Sequence, residues 1–136
     1  MAKIQHTAKG EIRVIAFDET RLVDEAALDQ CFREIVAVLG KTEESHAVLH
    51  FGRVTFMSSS ALGMLLRVSK KCKEFKIDLK LCNIAPDIRE VFKITGLEKV
   101  FDIHEDVDQA IRAVQKRGRL FFRKKAPDRY SVREEK

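Results

Sequence analysis

The chain has 136 residues, 45% of them hydrophobic and 35% charged. That is enough for one domain with a single core, and it excludes disordered and fibrous classes. No apolar run approaches the ~20 residues of a membrane span, and Met1 to His6 lacks the apolar block of a secretory signal, so the sequence reads as cytoplasmic.

Glu11 to Phe17 starts with polar–apolar alternation, is rich in β-branched residues, and predicts a strand. Residues 3–8 are its candidate hairpin partner, with the turn at Lys9-Gly10. Asp18 to Arg21 reads as a polar loop. A helix is predicted from Asp24, as N-cap, to Leu39, because Ala27, Leu28, Cys31, Ile35, Val38 and Leu39 recur at helical spacing. Gly40 is its predicted C-cap. His46 to Phe51 is a short apolar run that suits a buried strand. A second helix follows the serines 58–60 and runs to about Phe75. Ala61, Leu62, Leu65, Val68, Cys72 and Phe75 fall near one face, and Met64 falls off it. Arg67, Lys70, Lys71 and Lys73 lie on the exposed side, toward the end where cations suit the helix dipole. Ile77 to Cys82 alternates as a strand. Asn83 is a candidate cap for a third helix with Pro86 in its first turn, ending at Thr95-Gly96. Val100-Phe101 is a candidate last strand, and a fourth helix is predicted from Glu105 to Gln115. Strand–helix alternation of this kind implies right-handed βαβ crossovers. The fold class is therefore α/β, with a mixed, mostly parallel sheet of four to five strands and about four helices.

The net charge is +5, but its distribution is uneven. From Gly118 to Lys136 there are seven basic and three acidic residues, which leaves the body nearly neutral. The sequence thus divides into a domain over residues 1–117 and a basic tail over 118–136. That tail is read as partly disordered or docked through Leu120-Phe121-Phe122, and it is a candidate contact for anionic surfaces. Direct DNA binding is not expected. Three cysteines, Cys31, Cys72 and Cys82, form no CxxC, and the four histidines lack ligand spacing. No metal and no cofactor are predicted.

The segment Val48 to Gly63 concentrates the remaining signal, because a buried strand feeds a polar turn that opens a helix. Serine is a preferred N-cap, but only one of Ser58, Ser59 and Ser60 can hold that position. The others are left at the end of the sheet, where functional groups of α/β folds gather. A nucleophilic serine enzyme is not supported, since Gly-x-Ser-x-Gly is missing and no local His–acid pair is apparent. The six glycines are dispersed, so no phosphate-cradling loop exists.

Phe56-Met57-Ser58-Ser59-Ser60-Ala61-Leu62-Gly63 resembles the Phe-Met-Asp-Ser-Ser-Gly-Leu-Gly signature of the STAS domain, and in particular of the bacterial anti-sigma factor antagonists. The resemblance extends over residues 4–117 and includes Pro86, Val91-Phe92 and Thr95-Gly96-Leu97. It implies the STAS fold and a non-enzymatic, partner-switching module. Such a protein binds an anti-sigma factor, itself a serine kinase, and thereby frees a sigma factor for transcription. Serine phosphorylation breaks the complex and a serine phosphatase resets it. The acceptor position falls on Ser59, with Ser58 and Ser60 as alternates. Ser58 stands where the family has Asp, Ala61 where it has Gly, and His50 where many relatives have Asp. The implied partner surface is Asp18, Glu19, Thr20, Arg21 and Leu22 together with Ser58, Ser59, Ser60, Met64 and Arg67. Leu62 is read as core. The alternative function is a non-switching STAS scaffold or sensory module in a bacterial signalling complex.

Overall fold

The computed structural model describes residues 2–124, with side-chain surroundings through Gln115. Strands β1 (Ile4–Lys9) and β2 (Ile12–Phe17) form the expected antiparallel hairpin, with Gly10 at φ 64. That left-handed conformation costs glycine nothing. Strand β3 (Arg21–Leu22) leads into α1 (Glu25–Lys41), whose N-cap Asp24 accepts from the Ala27 N–H at 2.9 Å. Then follow β4 (His46–His50), β5 (Phe56–Met57), α2 (Ser59–Glu74), β6 (Asp78–Cys82), α3 (Pro86–Ile94), a 3-10 turn (Leu97–Lys99), β7 (Asp102–His104) and α4 (Val107–Lys124).

The main sheet has the order β1-β2-β4-β6-β7, and every pairing after the hairpin is parallel. Its two faces follow the period-two rule of strands. Ile15, Leu49 and Leu81 point to one side, where they meet Leu28 and Ile35 of α1, Leu65 and Val68 of α2, and Ile88 and Phe92 of α3. Ile12, Val14, Val48 and Cys82 point to the other, where Ala110 and Val114 of α4 cover them. Helices therefore cover both faces. Because the strands that precede them run parallel, all four helices begin at the same end of the sheet.

Several boundaries differ from the sequence reading. Helix α1 passes through Gly40 and ends at Thr42, whose N–H donates to the Val38 carbonyl. Gly40 stays helical there beside the Phe75 ring, which a Cβ would meet at an ordinary 3.9 Å. Ala85, not Asn83, precedes α3, and it gives no side-chain cap. Asn83 instead takes a left-handed φ of 58, which asparagine tolerates. Val100-Phe101 is not the last strand. Phe101 is buried against Phe92, with ring centroids 6.0 Å apart, and β7 pairs only from Asp102 on. Helix α4 continues to Lys124, beyond Gln115. The proposed docking of Leu120-Phe121-Phe122 and the rest of the basic tail lie outside the residues whose surroundings are described.

A charge chain centred on one buried lysine crosses the α4 face. The Lys80 ammonium, only 2% exposed, sits 3.1 Å from Asp78 and 2.7 Å from Asp102. His46 lies 3.4 Å from Asp78, and His104 lies 3.1 Å from Asp102. Burial pushes the Asp78 carboxyl up, but hydrogen bonding to His46 and the Lys80 charge outweigh it and bring its pKa down to about 2.

Candidate functional site

The serine segment is held by a second, two-stranded sheet that the sequence reading did not contain. Strands β3 and β5 pair in parallel, with Arg21 opposite Phe56 and Leu22 opposite Met57. The Thr55 N–H and hydroxyl both donate to the Thr20 carbonyl, at 2.7 and 3.1 Å. The Ser58 N–H donates to the Leu22 carbonyl at 3.0 Å. The loop before α1 and the start of α2 are thus one hydrogen-bonded unit. Two-residue strands carry no periodic signal, and the β-prone run Val54-Thr55-Phe56 was the local hint.

The three serines have different fates. Ser58 is the N-cap of α2 and half-buried. Its hydroxyl accepts from the Ala61 N–H and donates to the Leu22 carbonyl, both at 3.3 Å. Ser59 and Ser60 occupy the first two helical positions and are exposed. Neither hydroxyl has a hydrogen-bond partner among the described residues. The first N–H groups of a helix have no intrahelical acceptor, so this rim favours an anion.

Of the other predicted contact residues, Asp18, Glu19, Thr20 and Arg21 lie on the loop clipped to this start and Arg67 lies two turns along α2, all with accessible side chains. Asp18 lies 3.6 Å from Arg53, and Glu19 accepts from Lys3 at 3.0 Å. Two of the assigned contacts are corrected. Leu22 is 2% exposed and Met64 1%, so neither side chain can meet a partner. Met64 is core because α2 turns its 61–64–65–68–72 stripe inward, a stripe broader than the spacing of its aliphatic residues suggested. Leu62, read as core, is partly buried and packs against that core. The sequence reading also missed Phe56, which is 45% exposed with the Arg21 guanidinium 4.6 Å from its ring centroid. Arg67 makes the matching contact on α1, 4.6 Å from the Phe32 ring centroid.

His50 closes the base of the loop. It is half-buried at the end of β4, and its Nδ1 accepts from the Gly52 N–H at 3.0 Å. Burial lowers its pKa, which keeps Nδ1 free to accept. An added Cβ at Gly52 would lie 2.5 Å from the His50 Cε1, so any larger residue there displaces the imidazole. The cysteines offer no reactive thiol. Burial pushes Cys31 up to about 11 and Cys72 and Cys82 up to about 12. Among the described residues no group of three or more metal-ligating side chains forms, and no helix is long and apolar enough to cross a membrane.

A STAS domain family model matches residues 3–110. The putative anti-sigma factor antagonist BtrV of Bordetella bronchiseptica is 33% identical over 92 residues, 68% of this chain and 78% of BtrV. An anti-sigma-factor antagonist (STAS) domain protein from Planctomyces limnophilus has a TM-score of 0.72 at 26% identity, over 83% of this chain and 98% of that one. Bacillus SpoIIAA, 24% identical, shares the fold in both of its forms. The TM-score is 0.66 for the unphosphorylated form, over 83% of this chain and 96% of that one. It is 0.60 for the phosphorylated form, over 82% and 98%. A sheet of this order, a serine-bearing helix start clipped to the preceding loop, and a family match across most of the length lead to one assignment: the chain belongs to the STAS domain family, among its anti-sigma factor antagonists.

Proposed function

We propose that the protein is a cytoplasmic partner switch whose control point is Ser59. Unphosphorylated, it binds an anti-sigma factor that is also a serine kinase, and the sigma factor is released to direct transcription. Transfer of a phosphoryl group to the Ser59 hydroxyl breaks the complex, and a serine phosphatase restores it. The observation that carries this reading is the contrast between adjacent serines. Ser58 spends its hydroxyl on two backbone partners, whereas the hydroxyls of Ser59 and Ser60 are exposed and uncommitted, and the family's acceptor position falls on Ser59.

A phosphoserine adds about −1.5 to −2 charges at pH 7. At the first position of α2, unpaired N–H groups and the helix dipole favour that charge, so the fold tolerates it. The effect falls on the partner, which meets a dianion in the middle of its contact patch. Ser58 in place of Asp preserves the capping function without a fixed charge beside the acceptor, because serine and aspartate cap about equally well.

The test is incubation with the partner serine kinase and ATP, followed by mass-spectrometric mapping. A single phosphate on Ser59, absent in Ser59→Ala, supports the switch. Phosphate on Ser58 or Ser60 instead overturns Ser59 as the control point, and kinase binding that is identical before and after modification overturns the switch and favours the non-switching scaffold.

A further inference from the structure

Helix α3 buries one side and leaves an apolar strip on the other. Ile88 and Phe92 are 5% and 0% exposed, whereas Val91 is 42% and Ile94 75%, the highest value among the exposed large hydrophobic side chains. Asp87, Glu90, Val91 and Ile94 follow the i, i+3, i+4, i+7 spacing that places residues on one helix face. Glu90 and Lys93, both exposed, stand on the same flank of that strip. They are not paired with each other. None of Asp87, Glu90, Lys93, Glu98 and Lys99 has an ion-pair partner among the described residues.

We propose that this strip docks a second copy of the chain, with the two α3 helices antiparallel about a twofold axis. The residues themselves select that occupant. Acid, apolar, base and apolar side chains at 90, 91, 93 and 94 are their own complement once the direction is reversed. In a twofold pair each flank meets its own equivalent. With Val91 opposite Ile94 of the second copy, Glu90 lies about 3 Å along the axis from the level of that copy's Lys93, at ~1.5 Å per residue. The apolar seam is then closed on one flank by two identical Glu90–Lys93 ion pairs. Asp87 comes level with Glu98 and Lys99 of the other copy, whose charges cancel, and Arg89 is half-buried on the inner side. The seam uses the last turn of α3, away from the end of the sheet where α2 begins, so both Ser59 hydroxyls stay accessible. One helical turn from each copy covers far less than the roughly 800 Å² per partner of a standard interface. The pairing is therefore weak, with a dissociation constant of about 0.1–1 mM.

The test is sedimentation equilibrium together with amide chemical shifts of the full-length protein, over about 0.05–1 mM to bracket that constant. The average mass is expected to rise above the monomer, and concentration-dependent shifts to centre on Glu90 to Thr95. Ile94→Glu abolishes both with an unchanged melting curve, since this side chain is already in water. Glu90→Lys and Lys93→Glu, each alone, set like charges across both flanking contacts and weaken pairing roughly tenfold or more. An equimolar mixture of these two variants associates again, because residue 90 of one copy and residue 93 of the other then carry opposite signs at both contacts. Both variants stay net positive, so no overall attraction mimics the rescue. A monomer mass throughout, association untouched by Ile94→Glu, or no recovery in the mixture overturns the proposal. Ser59→Asp is expected to pair like the wild type. Loss of pairing in that variant moves the contact to the start of α2 and overturns the proposal as well.

Discussion

The backbone N–H and the hydroxyl of Ser58 converge on one acceptor, the Leu22 carbonyl, at 3.0 and 3.3 Å. The same hydroxyl accepts from Ala61. Ser58 thus ends β5, starts α2 and ties both to the loop ahead of α1. Ser58→Ala removes the cap and one bond of the clip, and it is expected to cost about 1–2 kcal/mol in urea unfolding. Ser58→Asp keeps the cap but faces the Leu22 carbonyl with another acceptor. It is expected to fall between the wild type and the alanine variant.

Ser59→Asp should fold normally. An acid at the first helical position gains roughly 0.3–1 kcal/mol from the dipole, so melting should be unchanged or slightly raised. Affinity for the anti-sigma factor should fall at least about tenfold, equivalent to about 1.4 kcal/mol. Equal titration curves for Ser59→Asp and Ser59→Ala would contradict the charge mechanism.

The Gly52–His50 contact predicts a compensating pair. Gly52→Ala drives a Cβ into the imidazole and is expected to cost about 1–3 kcal/mol. His50→Ala loses the acceptor for the Gly52 N–H but makes room, so the double variant should be more stable than the sum of the two predicts. The pH dependence has a defined sign. Burial lowers the folded-state pKa of His50 below its ordinary 6.5, so the unfolded chain takes up the proton first. Stability is full above about 6.5 and declines as pH falls below it. His50→Gln should flatten that part of the pH–stability curve.

The Lys80 chain governs the acid limb. Asp78 has a folded pKa of about 2 against an ordinary 3.8. Its stabilising contribution is present above 3.8 and is lost as pH falls toward 2. Lys80→Met leaves two partly exposed carboxylates, Asp78 and Asp102, without their shared cation, with an expected cost of about 1–3 kcal/mol at pH 7. Both acids then protonate more readily, so acid unfolding of this variant should begin at higher pH.

Met64→Ala tests a correction. At 1% exposure Met64 is core, and truncation should cost about 2–5 kcal/mol. A surface contact would have tolerated the change within about half a kcal/mol.

The long elements were legible because burial imposes a period. The 28–31–35–39 stripe of α1 is the consequence of one face meeting the core, and β2 and β6 were legible as short β-branched or apolar-rich runs although both of their faces are covered. What escaped was structure held by backbone hydrogen bonds alone. The β3–β5 clip depends on Thr20 and Leu22 carbonyls reaching Thr55 and Ser58, and carbonyls are the same in every residue type. Gly40 misled for a related reason. Glycine permits a helix end but does not impose one, and Thr42 took the last carbonyl instead. At the site, residue identity singled out the serines, while the division of labour among them needed the register. Phe56 entered the sequence analysis only as part of the serine motif, and the parallel pairing of β3 with β5 is what puts its ring under Arg21.

The common starting end of the four helices carries a larger consequence. At three of these starts an acid in the first turn answers the partial positive charge, namely Glu25, Asp87 and Asp108, whereas the first turn of α2 carries none. The Ser59 start is therefore the uncompensated one of the four, with free N–H groups and no acid of its own helix beside them. A covalent dianion on Ser59 supplies the missing charge from within the chain, so the helix that carries the modification also settles its charge.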